Sequence, residues 1–125
     1  MQDNSCYKIL KYKGDNKMFI KNNMSQPVQM AEGVVRKVLG YGENIMTVEV
    51  KLEKGAVVKS HSHIHEQVSY IISGKFQFTI DGETAELSAG DSAYMASNIL
   101  HSVIAIEEGM VVDSFSPIRE DFIKQ

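Results

Sequence analysis

The chain has 125 residues, a formal net charge of −3 and 43% hydrophobic residues, enough to bury one core without disulfides or a structural metal. Acidic and basic residues are interspersed, with no basic patch or long charge run, which excludes a nucleic-acid partner. A single cysteine, Cys6, excludes an intrachain disulfide, no apolar run approaches the roughly 20 residues that cross a bilayer, and MQDNSCYKILKYK lacks the features of a secretory leader, so a soluble, cytoplasmic protein is expected.

Residues 1–23 are polar and rich in Lys and Asn, with short strand-like runs at 7–12 and 18–20. They read as an arm or edge hairpin ahead of one domain at 24–122. From there β-type runs recur at 34–39, 45–52, 56–59, 68–73, 75–80, 84–87, 92–95, 101–106 and 110–115. Turn signals separate them: Gly40-Tyr41-Gly42, Glu53-Lys54-Gly55, Ser73-Gly74, Asp81-Gly82, Ala89-Gly90-Asp91 and Glu107-Glu108-Gly109. Asp-Gly is a favoured tight hairpin turn. Many short strands punctuated in this way predict an all-β sandwich or barrel. No sustained helical period occurs before 117–124, where Pro117 is acceptable in the first turn of a short helix.

Several runs have one apolar face. Met46, Val48, Val50 and Leu52 alternate with Thr47, Glu49 and Lys51, and Phe76, Phe78 and Ile80 alternate with Lys75, Gln77 and Thr79. Such alternation suits antiparallel strands buried on one side. The interior is then apolar except where histidines enter it.

Those histidines lie in GAVVKSHSHIHEQVSYIISG, residues 55–74. In an unbroken strand His61, His63, His65 and Gln67 would share a face. Two histidines spaced two apart on a strand can both reach one ion at about 2.0–2.2 Å. Further ligands must come from elsewhere in the fold. In a chain of this length a metal is expected to serve chemistry rather than folding.

Gly55, His61, His63, Gln67 and Gly74, followed by Gly90-Asp91 and His101, resemble the two motifs of the cupin family. Cupins are small β-barrels of the jelly-roll type, also described as a double-stranded β-helix, that hold a divalent metal in the mouth, and the resemblance implies a single such domain here with an all-β fold. The second motif departs from the family pattern, with Ala96, Asn98 and Ala105 where Pro, Gly and Asn are common. Within the family, HSHIHEQVSYIISGKFQFTIDGE, GVVRKVLGYGENIMTVEVKLEKGAVV and the tail DSFSPIREDF resemble the KdgF-type cupins of pectin and alginate breakdown. That likeness implies four ligands, His61, His63, Gln67 and His101, for a divalent ion such as zinc, nickel, manganese or iron. It also implies catalytic roles for Asp113, Phe115 and Arg119. The implied reaction converts 4,5-unsaturated monouronates, the products of polysaccharide lyases, into open-chain 5-keto-4-deoxyuronates.

A set of three neutral histidines and a neutral amide leaves the charge of the ion uncompensated, so the site should attract an anionic sugar and act as a Lewis acid rather than in redox turnover. Asp113 is then a fitting acid/base, Arg119 a bidentate partner for a substrate carboxylate, and Phe115 an apolar wall. His65 is expected outside the ligand set, Glu66 becomes a ligand only if the register slips, and Arg36, alternating with Val34 and Val38, is a second carboxylate anchor. Met95 is a candidate to line the pocket. Rival readings are a different cupin chemistry, a dioxygenase or sugar isomerase, and a non-catalytic sugar-binding module. A homodimer paired through edge strands is the expected assembly.

Overall fold

The computed structural model describes residues 18–123. The run expected at 7–12 lies outside them. The run at 18–20 is not a strand; the chain there passes into a 3₁₀ helix, Asn22–Met24. Eight strands follow: β1 (Val28–Ala31), β2 (Val34–Tyr41), β3 (Met46–Leu52), β4 (Val57–His61), β5 (Glu66–Ile80), β6 (Glu83–Ser88), β7 (Ser92–Met95) and β8 (His101–Ser116). A single turn of helix, α1 (Glu120–Ile123), ends the described chain, shorter than the segment expected at 117–124. No helix among the described residues is long and apolar enough to cross a membrane.

β5 and β8 are the long elements, and each unites two runs that the sequence separates. They pair with each other along nearly their whole length. The first half of β5 and the last half of β8 belong to one sheet, in the order β1-β2-β3-β8-β5-β7. The other halves form a second sheet, β4-β8-β5-β6. Every pairing is antiparallel. Met46, Val48, Val50 and Ile71 from the first sheet pack with Phe76, Phe78 and Ala105 from the second in one core. The result is a jelly roll.

The crossing between sheets explains why Ser73-Gly74 and Glu107-Glu108-Gly109 read as turns. The ladder shifts register at Ser73 and again at Lys75, a bulge that bends a strand without ending it. Inward residues of β5 are Gln67, Ser69 and Ile71 before the bulge, and Phe76, Phe78 and Ile80 after it, so the alternation changes parity there. Gly74 has φ +88°, and a Cβ on it would meet the Glu108 carbonyl oxygen at 2.6 Å and Gly109 Cα at 2.8 Å. A Cβ on Gly109 would collide with the Ser73 carbonyl. The two glycines let the backbones touch where the ribbon folds.

β1 escaped notice because its residues are mostly exposed and carry no alternation. By contrast Asp81 and Gly82, with φ of 50° and 84°, form the tight β5–β6 hairpin that their identities suggest. Gly74→Ala or Gly109→Ala should lower stability by about 2 kcal/mol or more, with Tm falling by about 5 °C or more, whereas Gly40→Ala, where a Cβ meets nothing within 4 Å, should leave Tm nearly unchanged in the same thermal melts.

Candidate active site

Three histidines meet at one end of the barrel. His61 closes β4 and lies across the ladder from His101 at the start of β8, with ring centroids 4.3 Å apart. His63 sits in the β4–β5 connection, its ring 5.6 Å from His61 and 4.9 Å from His101. One nitrogen from each lies within 4.8 Å of the others. Residues 62–65 are not in a strand, so simple alternation does not hold, and His65 is not part of this cluster.

Each ring is oriented through its Nδ1. His61 Nδ1 donates to the Lys59 carbonyl at 2.8 Å, His101 Nδ1 to the Ile99 carbonyl at 2.8 Å, and His63 Nδ1 to the His65 carbonyl at 3.1 Å. A carbonyl only accepts, so the proton of each neutral ring is on Nδ1 and the Nε2 lone pair is free, the tautomer that a metal-ligating histidine adopts. Burial holds His63 well below the ordinary imidazole range, at about 4, helped by the nearby charges of Arg119 and His101. Burial also lowers His101, with smaller contributions from His61 and Arg119 against a carbonyl bond that raises it.

Two features call for a cation. His101 Nε2 is buried without a partner. His63 Nε2 faces Gln67 Oε1 at 3.0 Å, yet with the ring neutral both atoms are acceptors and no proton lies between them. A divalent ion bound by His61, His63, His101 and Gln67 would satisfy all of these lone pairs, so the donor set fits a metal.

Gln67 opens a polar line into the barrel. Its Nε2 donates to Ser69 Oγ at 3.1 Å, and Ser69 Oγ donates to Asp113 Oδ1 at 2.6 Å. Ser69 and Asp113 are directly opposed on β5 and β8. Loss of water pushes the Asp113 carboxyl up to about 6, against the opposing pull of its bonds to Ser69 and Gln67 and of Arg119. His61, Gln67, His101, Asp113, Phe115 and Arg119 line one cavity.

Phe115 is buried and meets His63 and Phe122 edge-on, at 5.7 and 5.8 Å between centroids. His65 packs against the same ring; its Nδ1 is buried without a partner and burial lowers its pKa. Arg119 lies over Phe122 at 4.0 Å and Phe115 at 5.0 Å, and donates through Nε and Nη2 to the two Asp121 oxygens at 3.1 and 3.0 Å. That fork occupies the side edge of the guanidinium and leaves the Nη1/Nη2 edge for another acceptor. Arg36 stacks on Phe122 at 4.0 Å, so Phe122 is held between two guanidinium groups. Arg36 is buried, does not line the cavity, and its Nε and Nη2 are without partners. Met95 is fully buried but does not line the cavity either.

The sequence reading passed over Ser69. Its signal was a polar residue two positions after Gln67 on the same strand face, ahead of buried Ile71. Met30, on the unrecognised β1, also lines the cavity.

Comparisons with known proteins bear on the family and the fold. The cupin domain family matches residues 48–113. The pectin degradation protein KdgF of Dickeya dadantii is 38% identical over 97 residues, 76% of this chain and 88% of that protein. Among solved structures, KdgF from Halomonas sp. superposes with a TM-score of 0.80 at 32% identity, over 86% of this chain and 99% of that one. An RmlC-like cupin from Shewanella frigidimarina superposes with a TM-score of 0.82 at 34% identity, over 86% and 96%.

Elemental analysis of protein loaded with a divalent ion and then desalted should find one ion per chain in the wild type and in His65→Ala. His101→Ala should retain almost none. With free ion at about 100 times its dissociation constant, the wild type should gain about 2.7 kcal/mol of stability, and His101→Ala should show no such gain in Tm.

Proposed function

The chain belongs to the cupin family, among its KdgF-like members, and on that footing we propose that it is a metal-dependent enzyme that converts 4,5-unsaturated monouronates into open-chain 5-keto-4-deoxyuronates. The reading is carried by one cavity that combines neutral donors with an acid/base and a cation: His61, His101 and Gln67, with His63 clustered beside them, together with Asp113 and Arg119. With no carboxylate among the donors, a bound divalent ion keeps its full charge and supplies Lewis acidity toward an anionic sugar.

The reaction is an isomerisation. The proton of the anomeric hydroxyl leaves, C1 becomes an aldehyde as its bond to the ring oxygen breaks, the enolate so released becomes a ketone at C5, and C4 gains a proton. No atom enters or leaves overall. Asp113 is the group in the cavity suited to both transfers, since a carboxyl held near 6 is mostly ionised at neutral pH and can take the hydroxyl proton, then return one to C4. The free edge of Arg119 holds the substrate carboxylate through two parallel hydrogen bonds. Phe115 backs the ring with an apolar surface, and its buried contacts with His63 and Phe122 keep it in place.

The test is anaerobic incubation of metal-loaded protein with an unsaturated monouronate prepared by a polysaccharide lyase, following loss of the conjugated absorbance. Decay faster than in buffer is expected. Decay at the uncatalysed rate would remove the uronate assignment. Assayed at saturating metal ion, Asp113→Asn should lower kcat by about 100-fold or more, and Arg119→Met should act mainly on KM.

A further inference from the structure

A glutamine amide is nearly symmetric in outline. Turned by half a rotation, Gln67 would present N–H donors to the histidines and could not bind a cation. We propose that Ser69 supports the competent orientation and so acts as a positioning residue for the metal centre.

Ser69 is 1% exposed, and its Oγ lies 3.1 Å from Gln67 Nε2 and 2.6 Å from Asp113 Oδ1. A hydroxyl has one proton. An ionised carboxylate only accepts, so the Ser69 proton goes to Asp113 and Oγ is left to accept from its other neighbour. That neighbour must be a donor, which is Gln67 Nε2. The amide oxygen is thereby turned toward His63 Nε2, 3.0 Å away.

The flipped amide is the real competitor. It would gain an N–H bond to His63 Nε2, but its oxygen would then face a Ser69 oxygen whose proton is already committed. Recovering that proton would break the bond to Asp113, a short one to a charged acceptor and about twice as strong as a neutral bond. With the Asp113–Ser69 bond kept, each orientation of the amide makes one neutral hydrogen bond and opposes one pair of acceptors. The Ser69 acceptor thus offsets the pull of His63, and a cation at the histidines settles the amide in the orientation that Ser69 supports. A glutamate at position 67 would need no such support, because both of its oxygens are acceptors.

The inference rests on Gln67 serving as a ligand and not on the identity of the substrate. Zn(II) affinity is measured by chelator competition, and the visible spectrum of the Co(II) form is recorded, for the wild type, Ser69→Ala, Gln67→Glu and the double variant. Ser69→Ala should weaken Zn(II) binding about 10- to 100-fold and alter the Co(II) spectrum. In the Gln67→Glu background, where no amide is left to orient, the same change should have a much smaller effect on affinity, a coupling that a general loss of packing would not produce. Ser69→Cys, close in size with a weaker donor, should fall between wild type and Ser69→Ala, and takes the place of Ser69→Ala if that variant does not fold. Equal affinity for wild type and Ser69→Ala, or an equal loss in both backgrounds, overturns the proposal. A wild type that binds no Zn(II) overturns the metal centre itself.

Discussion

The ribbon formed by β5 and β8 folds back on itself where Gly74 and Gly109 bring their backbones into contact, and the rest of the molecule follows from that bend. Both strands cross from one sheet to the other without ending, so the two ends of a single ladder close on each other. One end holds His101. The other holds Gln67, Asp113 and Phe115. β4 adds His61 beside His101, and the β4–β5 connection adds His63 across the gap. The donors thus come from both ends of a continuous hydrogen-bonded element, which fixes their separation more firmly than loops would. Side chains on either glycine would force the backbones apart at the middle of the ribbon and displace both ends.

Burial sets the electrostatics of this closure. The imidazoles of His63, His65 and His101 are all held toward their neutral forms by loss of water, and Arg119 adds to the effect. Arg36 and Arg119 enclose Phe122, with Asp121 the anion paired to Arg119. Among the described residues, Asp113 is the one carboxylate that lines the cavity. An environment that resists further positive charge on its histidines yet presents a guanidinium edge is suited to an anion with a polarisable oxygen. The aromatic rings Phe115 and Phe122 carry the cationic faces without neutralising them.

Much of this was legible in the sequence, for local reasons. Alternation in Met46 to Leu52 and Phe76 to Ile80 identified strands because each is buried on one side. The cupin resemblance carried by Gly55, His61, His63, Gln67, Gly74 and distant His101 pointed to the histidine cluster, because His61 ends β4, His63 falls in the short connection after it and Gln67 lies at the start of β5. Ser73-Gly74 and Glu107-Glu108-Gly109 misled because a glycine that permits a bulge and one that permits a turn look alike in one dimension; what distinguishes them is the other strand. Ser69 was silent for the same reason, since its importance depends on Asp113, 44 positions away in the chain. Arg36 could be assigned to an inward face by its neighbours Val34 and Val38, but its stacking on Phe122 depends on where α1 docks.

The neutrality of Gln67 bears on Asp113 as well as on the ion. A glutamate at position 67 would set a second carboxylate across Ser69 from Asp113, with one hydroxyl proton to share between them. Two carboxylates so placed raise the pKa of at least one of the pair, and burial has already moved Asp113 up to about 6. A further rise would leave Asp113 protonated at neutral pH and remove it as a base. The amide avoids that repulsion while donating to Ser69, which in turn supports the ionised form of Asp113. On the proposed function, one neutral side chain would therefore leave the charge of the ion uncancelled and keep the neighbouring acid/base within its working range, two requirements that a carboxylate ligand at the same position would set against each other.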